Sequence, residues 1–207
     1  MMKRVYLHGF ASGPGSTKAE FFRRRLPGLA VPDLSGGNFE TLTLTGQLAV
    51  VEAAAGGEPV DLIGSSMGGY LAALYAARHP EVRRVVLLAP AFRFARRWAE
   101  VTGAEKLAEW RRAGFTEVFH YGAGGMRRLG WRLMEDARRY EDFPGFTQPG
   151  LILHGSRDPV VPVALSREFT AAHPNVRLVE LDSGHELTDV LGPIWAETEP
   201  FLATPAG

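Results

Sequence analysis

Val60-Asp61-Leu62-Ile63-Gly64-Ser65-Ser66-Met67-Gly68-Gly69-Tyr70-Leu71 is the stretch that decides the fold. It opens on a β-favouring apolar run, and from Met67 onward Leu71, Leu74 and Tyr75 fall at helical spacing until Pro80 ends the pattern. A strand therefore passes into a helix through Gly64-Ser65-Ser66-Met67-Gly68, a G-x-S-x-G turn. Such a turn is too tight for side chains at Gly64 and Gly68, where strand and helix nearly touch. Ser66 is left at the tip with its hydroxyl exposed, near a helix N-terminus whose dipole favours developing negative charge. Ser65 is out of register, because the residue two before it is Ile63.

On either side of this turn, short runs rich in Val, Leu and Ile recur at 4–8, 60–63, 84–89, 150–154 and 176–181, with helical patterns between them. That alternation predicts an α/β fold with a mostly parallel central sheet flanked by helices on both faces. Leu29-Ala30-Val31 is a further short candidate strand. Thr17-x-x-Glu20 reads as a capping box opening a helix through Leu26. Asn38 is expected to cap a helix that carries Leu44, Leu48 and Val51 on one face and stops at Gly56-Gly57. Further helices are expected from Met67 to His79, from near Pro162 to before Pro174, and over 187–203 with an interruption near Pro193.

A chain of 207 residues fits one such domain. Residues 91–149 break its rhythm, separating two strands by more than a crossover helix needs. They hold an excess of Lys and Arg over Asp and Glu, and Trp98, Trp110 and Trp131 besides. The segment is expected to be an insertion or cap over the C-terminal edge of the sheet, with a hairpin across Tyr121-Gly122-Ala123-Gly124-Gly125. The alternative is an extended crossover that only packs on the sheet. As a cap it would bring Phe92, Phe94, Trp98 or Trp131 to an acyl pocket and Arg93, Arg96 or Arg97 to an acidic leaving group. Otherwise the arginines form a solvated face with Glu100, Glu105 and Glu109.

Lys plus Arg and Asp plus Glu are 23 each, so there is no basic excess to attract nucleic acid or an anionic membrane. With no cysteine, disulfides, a thiol nucleophile and thiolate metal sites are excluded. No apolar run is long enough for a membrane span, and the N-terminal one is too short for a signal peptide, so a cytoplasmic protein is expected.

A serine hydroxyl attacks only when a base takes its proton. His185, in Asp182-Ser183-Gly184-His185 after the last strand run, occupies the kind of loop in which a parallel sheet presents reactive groups. His79 and His173 stand before prolines at helix ends and read as surface residues; His120 lies in the 91–149 segment; His8 and His154 each read as serving a local turn. The acid that would orient the imidazole is Asp158, in Gly155-Ser156-Arg157-Asp158-Pro159, with Asp182 as the competitor. The order Ser66, Asp158, His185 is the one found with a G-x-S-x-G turn. An oxyanion would be met by the main-chain N–H groups of Met67 and Phe10, the latter following the strand run Val5-Tyr6-Leu7.

These stretches together resemble the α/β-hydrolase superfamily, and most closely the small bacterial YqiA-type esterases. The matching residues are Tyr6-Leu7-His8-Gly9-Phe10 with Ser16-Thr17-Lys18-Ala19, Gly64 to Leu71, Val85 to Leu88 with Ala89-Pro90-Ala91, and the Asp158 and His185 loops. The resemblance implies hydrolysis of a small-molecule ester or thioester through an acyl-enzyme, without metal or organic cofactor. The same residues also fit other acyl or carbon–carbon bond hydrolysis, and a non-catalytic receptor or interaction protein on the hydrolase fold remains an alternative. Oligomeric state and the acyl group are not legible.

Overall fold

A computed structural model describes residues 2–203. In chain order, β1 (Lys3–Leu7), α1 (Thr17–Arg23), α2 (Leu44–Ala55), β2 (Val60–Ser65), α3 (Met67–Ala76) and β3 (Val82–Leu88) form the first half. Next come α4 (Phe94–Thr102), α5 (Ala104–Ala113), β4 (Phe115–His120), β5 (Gly125–Gly130) and α6 (Arg132–Ala137). The chain then returns through β6 (Gly150–Gly155), α7 (Val163–Ala172), β7 (Val176–Leu181) and α8 (Leu191–Ala203). The five main strands make one parallel sheet in the order β1-β2-β3-β6-β7. Because they run the same way, the segments after Leu7, Ser65, Leu88, Gly155 and Leu181 all leave from one edge.

Alternate strand residues feed two apolar cores. Val5, Leu62, Val85, Leu87 and Ile152 meet α2, α3 and α7 on one face, while Tyr6, Ile63, Val86, Leu88 and Leu153 meet α1 and α8 on the other. Helix α3 is buried at every residue, enclosed between the sheet and neighbouring helices. Burial on that scale holds it in place although it starts on a strained residue. The expected hairpin is present as the antiparallel pair β4–β5, turning through Tyr121–Ala123 and Gly124.

Four local expectations change. Ser16, not Thr17, caps α1 by accepting from the Ala19 N–H, and that helix ends at Arg23 rather than Leu26. Asn38 caps only the 3-10 turn Phe39–Thr41; Thr43 caps α2, which ends with Gly56 in the left-handed conformation at φ 67°. Adjacent Ser, Thr and Asn residues are all competent caps, and packing chooses among them. Residues 29–31 give a single bridge, Val5 to Ala30, before Pro32 stops them. Pro193 does not interrupt α8, because in a first turn its missing N–H has no intrahelical partner to lose.

Candidate active site

Ser66 joins β2 to α3 at φ 53° and ψ −115°, a backbone conformation that side-chain-bearing residues rarely adopt and that costs about 1–3 kcal/mol. Three main-chain hydrogen bonds hold it there: its N–H donates to Leu88 O at 2.8 Å, and its carbonyl accepts from Tyr70 and Ala91, both at 3.0 Å. Steric limits explain the glycines. A Cβ at Gly64 would collide with the Gly68 main chain, and one at Gly68 with the Leu7 carbonyl.

His185 follows β7. Its Nε2 lies 2.9 Å from Ser66 Oγ and its Nδ1 2.7 Å from Asp158 Oδ2. With the Nδ1 proton donated to the carboxylate, Nε2 is left to accept from the serine hydroxyl. A glycine at 155 lets the end of β6 approach this loop, since a Cβ there would strike the carbonyls of Ser183 and Gly184. The residues around His185 are tied down: Lys18 Nζ donates to Glu186 O at 2.5 Å, and Ser183 Oγ to Asp189 Oδ1 at 2.5 Å.

Asp158 Oδ1 accepts from the N–H groups of Val160 and Val161, each at 2.8 Å. Burial by itself would push this carboxyl up. Hydrogen bonds from His154, His185 and Val161 outweigh it and hold the group well below the usual carboxylate range. Asp182, the competing acid, instead pairs with Arg157 at 2.8 Å on the surface.

His154 is the residue whose place the sequence reading missed. It is fully buried at the end of β6, with Nε2 3.2 Å from Asp158 Oδ2 and 2.8 Å from Val161 O, and Nδ1 2.7 Å from Ser166 Oγ. The Nε2 proton is thus shared between a carbonyl and the carboxylate, and Nδ1 accepts from Ser166. The available signal was its position four residues before Asp158, at the end of the same strand. His8 serves a loop, but not only its own: its Nε2 accepts from Leu34 N–H at 3.1 Å, and burial keeps its basicity low. His79 and His173 stack on Tyr75 and Phe169 with ring centroids 3.7 and 4.1 Å apart, and His120 accepts from Ala123 N–H within the hairpin turn.

Residues 8–10 pass close beside Ser66, for a Cβ on Gly9 would stand 3.6 Å from that of Ser66. Met67 is the first residue of α3, so its N–H has no partner within the helix. A cavity of about 690 Å³ opens over Ser66 and His185, walled by Phe10, Lys18, Val160 and, from the hairpin tip, Tyr121 and Gly122.

Phe92, Trp98 and Trp131 do not line this cavity. Phe92 stacks on Phe169 at 4.4 Å and Trp131 packs on Trp110, both buried in the core, while Trp98 is partly buried between Trp110 and the cavity-wall residue Phe10, whose ring it meets edge-on at 4.7 Å. Phe94 joins them by packing on Tyr70 and Trp98. The arginines do not line it either: Arg93 pairs with Glu168 at 2.6 Å, Arg96 with Asp142 at 3.5 Å and Glu100 at 3.8 Å, and Arg97 braces the wall from behind by donating to Val160 O at 2.9 Å. Among the described residues, no group of three or more His, Asp or Glu side chains is placed to hold a metal ion, and no helix is long and apolar enough to cross a membrane.

A family described as "Uncharacterised protein family (UPF0227)" matches residues 3–199. No curated protein matches the chain in sequence. Similar solved structures include a putative hydrolase from Agrobacterium vitis S4, with 26% identity, a TM-score of 0.80, and coverage of 96% of this chain and 87% of that one. Alpha/beta hydrolase domain-containing protein 10 from mouse has 20% identity and a TM-score of 0.80 over 97% of this chain and 89% of its own. Est1E from Butyrivibrio proteoclasticus, solved with ferulic acid bound, has 21% identity and a TM-score of 0.80 over 98% and 88%.

Proposed function

Because the chain belongs to the UPF0227 family, with the α/β-hydrolase fold, we propose that it is a serine hydrolase of small carboxylic esters or thioesters. The observation that carries this reading is the hydrogen-bonded run from Ser66 Oγ to His185 Nε2, and from His185 Nδ1 to Asp158 Oδ2. A neighbour solved with ferulic acid bound, and others described as lipolytic enzymes, agree with it.

The mechanism follows from those positions. His185 Nε2 takes the Ser66 proton as Oγ bonds to the substrate carbonyl carbon, and Asp158 stabilises the imidazolium that forms. The carbonyl oxygen becomes an oxyanion, for which the Met67 and Phe10 N–H groups are the donors. Collapse breaks the bond to the alcohol or thiol, which leaves with the proton from His185. Water then gives a proton to His185, attacks the acyl-Ser66 carbonyl and releases the acid as Ser66 recovers its proton. The 91–149 segment acts as a cap through its hairpin tip, where Tyr121 and Gly122 join the cavity wall.

The test is covalent labelling of Ser66 by a fluorophosphonate together with turnover of short acyl esters. Labelling and turnover that both disappear in Ser66→Ala support the reading; a wild-type protein that neither labels nor turns over any ester or thioester refutes it.

A further inference from the structure

The motif Ser16-Thr17-Lys18 has no part in the chemistry above, yet it brings a cation into the wall of the same cavity. Ser16 caps α1 and Lys18 is that helix's second residue. The Lys18 side chain is only 11% exposed. Its ammonium donates to Glu186 O, and burial lowers its basicity. The nearest carboxylate, Glu186 Oε2, is 3.9 Å away on a side chain that is 80% exposed, so it is largely neutralised by water. A positive charge is thus held in the cavity with incomplete compensation, which is unfavourable unless something else meets it.

A second observation points to what that is. Tyr6 lines the same cavity, is 0% exposed, and its hydroxyl has no partner within hydrogen-bonding distance and angle; the Ser65 side chain beside it offsets only part of the effect of its burial. Burial pushes the phenol well above its ordinary value, so it remains a donor. An ammonium and a phenol together ask for a group that only accepts, and a carboxylate is that group. Among the described residues lining the cavity, Lys18 is the one Lys or Arg, and a single cation suits a monoanion better than a phosphate dianion.

We infer that the cavity holds a carboxylate subsite built on Lys18 and Tyr6, and that the substrates are esters or thioesters bearing a free carboxylate. This inference rests on the hydrolase reading and narrows its substrate class. Hydrolysis of such a half-ester uses the same steps and leaves a dicarboxylate or a hydroxy acid as product.

Two measurements separate this subsite from the chemistry. First, kcat/KM is compared for monomethyl glutarate and neutral methyl hexanoate. The wild type prefers the anion by about tenfold or more, as a charge-assisted contact warrants, and the preference shrinks with added salt. Lys18→Gln retains a donor for Glu186 O but no charge, and brings the ratio close to one. Lys18→Arg restores part of it, and Glu186→Gln raises it. Second, binding of the dicarboxylates from malonate to adipate to Ser66→Ala is followed by calorimetry, with and without Lys18→Gln. At least one binds, and the charge-removing substitution weakens it about tenfold or more. A wild type without anion preference and without dicarboxylate binding overturns the subsite while leaving ester hydrolysis intact. Equal loss on both esters in Lys18→Gln also overturns it, reducing Lys18 to a clamp on the Glu186 main chain. Dicarboxylate binding that depends on Lys18 in a protein that turns over no ester would instead keep the subsite and sink the hydrolase reading.

Discussion

His154 Nε2 and Asp158 Oδ2 stand 3.2 Å apart with both side chains wholly shielded from solvent. The carboxylate oxygen that faces His185 therefore faces a second imidazole, itself locked by Val161 O and Ser166 Oγ. On the proposed mechanism, His154 is a positioning residue for Asp158. Replacing it by leucine leaves the Val161 carbonyl and the Ser166 hydroxyl unpaired in the interior, each at a cost of about 1–3 kcal/mol. His154→Leu should shift the urea midpoint accordingly and lower kcat more than it changes KM, with His154→Gln intermediate. Wild-type midpoint and kcat in the leucine variant would show that the contact is idle.

Asp158 keeps its charge far into acid. Its folded-state carboxyl is held well below the unfolded value near 3.8. A lowered carboxyl pKa stabilises the fold at every pH above the unfolded value, and that contribution is lost as the pH falls through the folded one. Between about pH 5 and 8 the Asp158 charge is therefore constant, so on the proposed mechanism any fall of activity with acid in that window comes from protonation of the base that takes the Ser66 proton and not from this carboxyl. The profile of kcat/KM should show one ionisation on its acid side. A slope of two there, or a flat profile, would contradict this assignment. Asp158→Asn should lower kcat by about 10³–10⁴-fold at any pH in that window.

Steric limits at the turn give a contrasting pair of substitutions. Gly68→Ala drives a methyl into the Leu7 carbonyl, which the sheet holds in place, and should cost more than about 3 kcal/mol or prevent folding. Gly192→Ala meets nothing within 4 Å in the first turn of α8 and should be neutral or stabilising by up to about 1 kcal/mol. Thermal unfolding of the two variants measures both. A stable Gly68→Ala protein would mean that strand and helix are less tightly apposed than described.

What the sequence made legible is local. The G-x-S-x-G turn declares itself because Gly64, Ser66 and Gly68 are adjacent in the chain and their steric reasons are short-range. The strands were readable because a sheet covered on both faces needs unbroken apolar runs. His154 offered only its place four residues before Asp158, since its contact with Ser166 is set by how α7 docks on β6. Nor could pattern distinguish an aromatic residue of a pocket from one of a core: Phe92, Trp98 and Trp131 have the composition of a ligand wall but pack on Phe169 and Trp110. Lys18 stood in plain view within a motif, and only the cavity around it suggested a task.

That distinction among aromatics can be measured. Phe92→Ala should cost about 3–5 kcal/mol of stability as a core deletion and leave the order of preference among acyl chain lengths unchanged. Tyr121 is 77% exposed at the hairpin tip and lines the cavity, so Tyr121→Ala should leave stability within about 0.5 kcal/mol and change KM for the bulkier esters. Selectivity that follows Phe92 and ignores Tyr121 would place the acyl group beneath the 91–149 segment rather than under its hairpin.

The central claim is that Ser66 forms a bond to the acyl group, and the most direct measurement is the intact mass of the protein quenched in acid during turnover of an activated ester. A mass increase equal to the acyl group, mapped to the peptide bearing Ser66 and absent in Ser66→Ala, is the predicted result, with turnover falling by about 10³-fold or more in that variant. Near-native turnover in Ser66→Ala, or an acyl adduct on another residue, would contradict the account.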